Sequence, residues 1–136
     1  MDGKKILIVD DEDTIRDVLE TAFSKAGYCV CLATGAEEAL EVLRKEYIPV
    51  IFIDLGLEIL NGFELCGYIR KNSPSAFIYA LTGFAALFSP HENRGAGFDD
   101  YFTKPVSLKT LYKVAKNSFE KIQRLTYKPL AYNKGT

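Results

Sequence analysis

Apolar and polar positions along the chain alternate between two periods. Lys5–Val9 is short, rich in β-branched residues and ended by charge, which reads as a buried strand. Ile15, Val18, Leu19, Ala22, Phe23 and Ala26 then recur at helical spacing, with Asp13 placed to cap the helix and Gly27 to stop it. Tyr28–Ala33 predicts a second strand, and Thr34-Gly35-Ala36-Glu37 a capping box ahead of Ala39, Leu40 and Leu43. Pro49–Ile53 predicts a third strand, apolar on both faces as a central parallel strand should be. A loop over 55–61 leads into a helix from about Gly62 to Lys71, and Ala76–Leu81 comes next as a fourth strand. Ser89-Pro90-His91-Glu92 opens a fourth helix that Gly95 and Gly97 keep short. Asp100–Thr103 is the fifth strand, and Ser107 caps a long last helix with Leu108, Leu111, Tyr112, Ala115, Phe119, Ile122 and Leu125 on one face. Five β/α units in strict alternation imply an α/β fold, a doubly wound parallel sheet with helices on both sides.

The strand ends carry the chemistry. Asp10-Asp11 closes the first apolar run, Asp54 the third, Thr82 the fourth, and Lys104-Pro105 comes directly after the fifth. In an open α/β sheet these C-terminal ends face one crevice, where such folds bind ligands. Taken singly, an Asp at a strand end caps a helix, a Thr makes a turn and a Lys is a solvated charge. Taken together they predict three carboxylates, a hydroxyl and an ammonium in one place. Two carboxylates ~5 Å apart repel by roughly 3 kcal/mol at an effective dielectric near 20. Lys104 offsets part of that, and a hard divalent cation such as Mg²⁺ suits the remaining oxygens.

Composition narrows the picture. At 136 residues and 48% hydrophobic the chain supports one ordinary domain with a real core, and no room is left for a second. No apolar run approaches the ~18 residues of a membrane span, and Met1–Lys5 lacks the long apolar stretch of a secretory signal, so the expectation is a cytoplasmic protein. Three cysteines at unremarkable spacing do not make a disulfide framework. Cys29 and Cys31 point the same way from one strand and are expected to be buried thiols. With His91 the single histidine, a zinc site is not expected. The net charge of −1 hides an asymmetry: residues 1–103 carry nine Lys/Arg against seventeen Asp/Glu, and residues 104–136 eight against Glu120 alone. That basic end reads as a solvated helix face, or else as a docking surface for an acidic partner.

The motifs together resemble the receiver domain of two-component response regulators. They are Val9-Asp10-Asp11-Glu12, Asp54-Leu55 with Gly62 eight residues on, Thr82, Gly97-Phe98-Asp99-Asp100-Tyr101, and Lys104-Pro105. The resemblance covers about Lys4 to Leu125, leaving 126–136 as a loosely docked C-terminal tail. It implies a flavodoxin-like three-layer sandwich with strand order 2-1-3-4-5. It implies that Asp54 accepts a phosphoryl group from a sensor histidine kinase or a phosphotransfer protein. Asp10, Asp11, Asp54 and the backbone carbonyl of Gly56 would hold Mg²⁺. Thr82 and Lys104 would bind the phosphoryl group, Tyr101 would be the aromatic switch, and the Lys104–Pro105 bond would be cis. The fourth helix, fifth strand and last helix would form the output surface. Such a protein is a phosphoryl-accepting switch rather than a turnover enzyme, acts through a protein effector, and needs neither nucleic acid nor membrane.

Four positions depart from the family pattern. Leu57-Glu58 stands where Met-Pro is frequent, Gly83 comes after Thr82 in place of Ala, and bulky Phe84 sits two residues past Thr82. Phe84–Phe88 reads as core packing or as a partner-binding patch. Rival readings are a pseudo-receiver scaffold that is never phosphorylated, and a receiver fragment of a larger regulator or hybrid kinase. A Mg²⁺-dependent phosphohydrolase would want an acid at position 56, which is Gly, and a flavin module would want a Ser/Thr/Gly phosphate loop after the first strand.

Overall fold

The computed structural model describes residues 3–56, 59–83 and 97–135. Its five strands are β1 (Lys5–Val9), β2 (Cys29–Ala33), β3 (Val50–Asp54), β4 (Phe77–Thr82) and β5 (Asp100–Thr103). All pair in parallel, in the order β2-β1-β3-β4-β5. Among the described residues three helices lie between strands: α1 (Asp13–Lys25), α2 (Ala36–Lys45) and α3 (Ile59–Asn72). A C-terminal helix spans Leu108–Gly135. The chain divides into two compact units, one ending at Val106 and one starting at Ser107.

Burial tracks the sequence pattern strand by strand. The inner strands β1, β3 and β4 are apolar on both faces and almost wholly buried, whereas β2 and β5, at the sheet's edges, are partly exposed. Because side chains alternate along a strand, Leu7, Ile51, Ile53 and Ile78 face one way and pack with Ala39 of α2 and Leu65, Cys66 and Ile69 of α3. Phe52 faces the other way, where its ring stacks on Phe23 of α1 at 5.7 Å and meets Tyr79 at 5.5 Å. Phe23 and Phe52 are among the largest fully buried side chains, and truncating either to Ala would cost about 3–5 kcal/mol.

Several local expectations change. α3 starts at Ile59, not Gly62. Gly62 sits inside the helix because a Cβ there would run into Leu55 Cδ2, so the glycine serves close packing rather than a helix start. The capping box before α2 is shifted by one residue. Gly35 is the N-cap, and Glu38, not Glu37, reaches back to the Thr34 N–H at 2.6 Å. α1 has Glu12 as its N-cap, without a side-chain cap bond, and Asp13 pairs instead with Arg16. Val18, placed by its spacing on the apolar face, is 48% exposed.

Cys29 is exposed and Cys31 half-buried, against the expectation of buried thiols, since β2 is an outer strand; Cys66 alone is buried. The C-terminal helix starts as expected, with Ser107 Oγ accepting the Thr110 N–H at 3.1 Å. It runs through to Gly135, and the Thr126 hydroxyl donates to the Ile122 carbonyl within it. The expected fourth helix near Ser89, the Phe84–Phe88 segment and Leu57-Glu58 lie outside the described residues.

Candidate functional site

The parallel register sets the strand ends side by side. Val9 pairs with Ile53, Asp54 with Leu81, and Thr82 with Thr103, so Asp10, Asp54 and Lys104 emerge at one end of the sheet. The Lys104 backbone N–H donates to the Thr82 carbonyl at 2.8 Å, which carries the pairing one residue past β5. The Lys104–Pro105 peptide is cis.

Asp10 is 2% exposed. Its Oδ1 accepts the Glu12 N–H at 2.9 Å, while its Oδ2 is buried without a hydrogen bond. Burial pushes its carboxyl up to about 6; the Glu12 N–H opposes the rise, and the neighbouring Asp54 charge adds to it. Asp54 Oδ1 accepts the Gly56 N–H at 2.9 Å, fixing the turn after β3. Asp54 Oδ2 is buried; it makes no aligned hydrogen bond but forms an ion pair with Lys104 Nζ. Desolvation lowers the Lys104 ammonium, yet the adjacent Asp54 carboxylate, with the charges of Asp10 and Glu12 behind it, outweighs that and holds it above its ordinary range.

A cleft of about 440 Å³ opens beside these groups, lined by Asp10, Asp11, Glu12, Asp54, Gly56 and Asn61 among others. All four expected Mg²⁺-holding residues therefore share one cleft. They are not gathered as tightly as expected, because among the described residues no three carboxylate, thiol or imidazole groups are close enough to hold a metal together. Asp11, in particular, is exposed at the rim. The donor set still fits a hard cation: Mg²⁺ binds through one or two carboxylates and keeps several waters, and the bare Asp10 Oδ2 is an oxygen left for such a ligand role.

Thr82 is fully buried and is not part of the cleft wall. Tyr101 is half-buried and packs on the sheet face that carries α2 and α3. Two participants were not read from the sequence. Arg16 Nη1 donates to the Asp10 carbonyl at 2.7 Å, holding the acidic turn from α1, and the i+6 spacing is the sole signal for it. Asn61 lines the cleft seven residues after Asp54, in the first turn of α3, where a loop was expected.

The response regulator receiver domain model matches residues 6–116. The chain belongs to this family. Among curated relatives, this receiver is 37% identical over 123 residues to the probable transcriptional regulator ycf27 of Pyropia yezoensis, covering 90% of the chain and 50% of that protein. It thus spans about half the length of such relatives. Among solved structures, it superposes with a TM-score of 0.75 on the response regulator TrrA of Thermotoga maritima in complex with Mg²⁺-BeF, at 30% identity over 85% of this chain and 98% of that one. It also matches the receiver domain of Saccharomyces cerevisiae Ssk1, crystallised with the phosphotransfer protein Ypd1, at 27% identity and a TM-score of 0.73 over 82% and 86% of the two chains. The receiver fold and the two-component family rest on these matches, as the sequence motifs implied. No helix among the described residues is long and apolar enough to cross a membrane.

Proposed function

We propose that Asp54 of this receiver is a phosphoacceptor, and that its modification switches the protein between two signalling states. The reading rests on one observation more than any other. Asp54 is a nearly buried carboxylate, 4% exposed, at the end of β3, held by the Gly56 N–H, facing Lys104 and flanked by the hydrogen-bond-deficient acid Asp10.

The chemistry is a single displacement. An oxygen of Asp54 attacks the phosphorus of a phosphohistidine on a sensor histidine kinase or phosphotransfer protein. The P–N bond breaks in line, its electron pair stays on the histidine nitrogen, and an acyl phosphate forms on Asp54. Asp10, Asp11, Asp54 and the Gly56 carbonyl would hold Mg²⁺, which when bound supplies positive charge to the phosphoryl oxygens. Lys104 already sits against Asp54 and neutralises the same developing charge, while Gly56 fixes the carboxylate that attacks. The partner in the solved Ssk1 complex supports a phosphotransfer donor here, and the Mg²⁺-BeF complex of TrrA supports the cation.

The acyl phosphate then adds negative charge and acceptor oxygens beside Lys104 and near Thr82. Hydrogen bonds to charged groups contribute about 1.5–3 kcal/mol each, so two supply much of the ~5.5 kcal/mol needed to invert a two-state equilibrium. Thr82 drawn toward the phosphate leaves room for Tyr101 to turn inward and alter the surface around β5. The protein is a switch read by a protein effector, not a turnover enzyme.

Acetyl phosphate with Mg²⁺, alongside a fluoroberyllate control, tests this. The expected product is an acid-stable, base-labile label that Asp54→Asn abolishes. Absence of label on the unaltered protein would leave a constitutive scaffold, and many turnovers of external substrate would indicate a phosphohydrolase.

A further inference from the structure

One side chain outside the cleft commits its entire hydrogen-bonding capacity to the approaches to β4 and β5. Arginine has five N–H donors in a fixed fork. Arg70, near the end of α3, uses all of them: Nε to the Gly97 carbonyl at 3.1 Å, Nη2 to the same carbonyl at 2.7 Å and to Asp99 Oδ2 at 2.8 Å, and Nη1 to the carbonyls of Pro74 at 2.9 Å and Ala76 at 2.6 Å. Asp99 closes the knot onto β4. Its backbone N–H donates to the Ile78 carbonyl at 2.8 Å, and its Oδ2 accepts the Ile78 N–H at 2.7 Å. Gly97 has φ +104°, and a Cβ there would press on Arg70 Cβ at 3.3 Å, so the loop takes this path against the arginine because it carries glycine.

The knot immediately precedes β5, a four-residue edge strand bonded on one side to β4. The far end of that strand leads directly into Lys104, and its second residue is Tyr101. A one-residue slip in such a strand would turn every side chain to the opposite face. Beyond its own ladder, β5 is held at its start by the Arg70–Asp99 knot and at its end by the Lys104–Thr82 bond.

We infer that Arg70 is a positioning residue for phosphoryl transfer, setting the register of β5 through Gly97 and Asp99 and thereby the place of Lys104 against Asp54. This rests on the phosphoacceptor reading of Asp54, and two kinds of measurement separate the two.

The first is the rate of labelling of the full chain by acetyl phosphate and Mg²⁺, with rates normalised to folded protein. Arg70→Ala is expected to lower the maximal rate at least tenfold with little change in half-saturation. Arg70→Lys, which keeps the charge but loses the fork, is expected to fall between. If Arg70 acts through Lys104, adding Arg70→Ala to Lys104→Ala costs no further rate. A full, independent loss in the double variant, or an unchanged rate in Arg70→Ala, overturns the inference. So does an equal slowing in Leu19→Ala, a core variant of α1 that destabilises without touching β5. Should Arg70→Ala fail to fold, Asp99→Asn and Arg70→Lys carry the same comparison.

The second measurement needs no phosphoryl transfer. Backbone amide resonances of Thr103 and Lys104 are expected to shift in Arg70→Lys and to stay put in Leu19→Ala. Unmoved resonances in Arg70→Lys count against the inference alone, whereas an unlabelled wild-type Asp54 counts against the phosphoacceptor reading.

Discussion

Two polar clusters flank β5 in this protein, and they are built on opposite principles. At its start, Arg70 makes five donated bonds to four acceptors, the Gly97 carbonyl taking two, and Asp99 accepts from both a guanidinium and a backbone N–H. At its end, Asp10 and Asp54 lie buried beside one another, Lys104 pairs with Asp54, and one Asp10 oxygen takes no hydrogen bond. A complete network fixes structure. An incomplete one holds its groups in a state that a further ligand would relieve. The contrast locates function better than the mere presence of charge does, because both clusters contain an acid, a cation and a glycine.

Removing the cation from each cluster gives the sharpest separation. Lys104→Ala should slow phosphorylation by acetyl phosphate by about 10²-fold, near 2.7 kcal/mol of transition-state stabilisation, measured from initial rates of label uptake. Arg70→Ala should act first on stability, costing about 3 kcal/mol in urea unfolding because the partly buried carbonyls at Gly97 and Ala76 lose their donors. If Lys104→Ala proved the more destabilising of the two in that measurement, the distinction between a structural and a functional cluster would fail.

Smaller effects should differ in sign. Gly62→Ala ought to cost about 1–3 kcal/mol by driving Leu55 from its place, a packing penalty that involves no charge. Asp10→Asn, by contrast, should raise the melting temperature by a few degrees at neutral pH with divalent ions chelated, since it removes a buried charge facing Asp54. The same group predicts a pH slope. Its carboxyl is raised to about 6 from an ordinary 3.8, so the folded state holds a proton that the unfolded chain has lost across that interval. The stabilisation is fully present below the lower value and is lost as pH rises through about 6. Metal-free protein should therefore melt at a lower temperature at pH 7 than at pH 5, and Asp10→Asn should flatten that trend.

The sheet was legible because strand identity is written in local periodicity, and β5 appears over the residues expected, Asp100–Thr103. The cleft was legible because parallel strands put their ends together, so Asp10, Asp54 and Lys104 needed no long-range knowledge. Strand order was a different matter, and the exposure of Cys29 comes from β2 being outermost, which alternation alone does not encode. Arg70 was invisible for a physical reason. Its acceptors are mostly backbone carbonyls, which every residue has, and Gly97 and Asp99 are 27 and 29 residues away. Gly62 was misread for the opposite reason: glycine commonly marks an end, and here it marks the spot where a helix presses on a leucine.

The two outermost strands are five and four residues long, and they bear the exposed ends of Cys29 and Asp100. Strand margins left open invite another molecule's backbone to extend the sheet, the first step toward aggregation. Ones this brief, with an acid opening the shorter, give a newcomer little to align with, so the sheet that gathers the acids in one crevice also resists growing sideways.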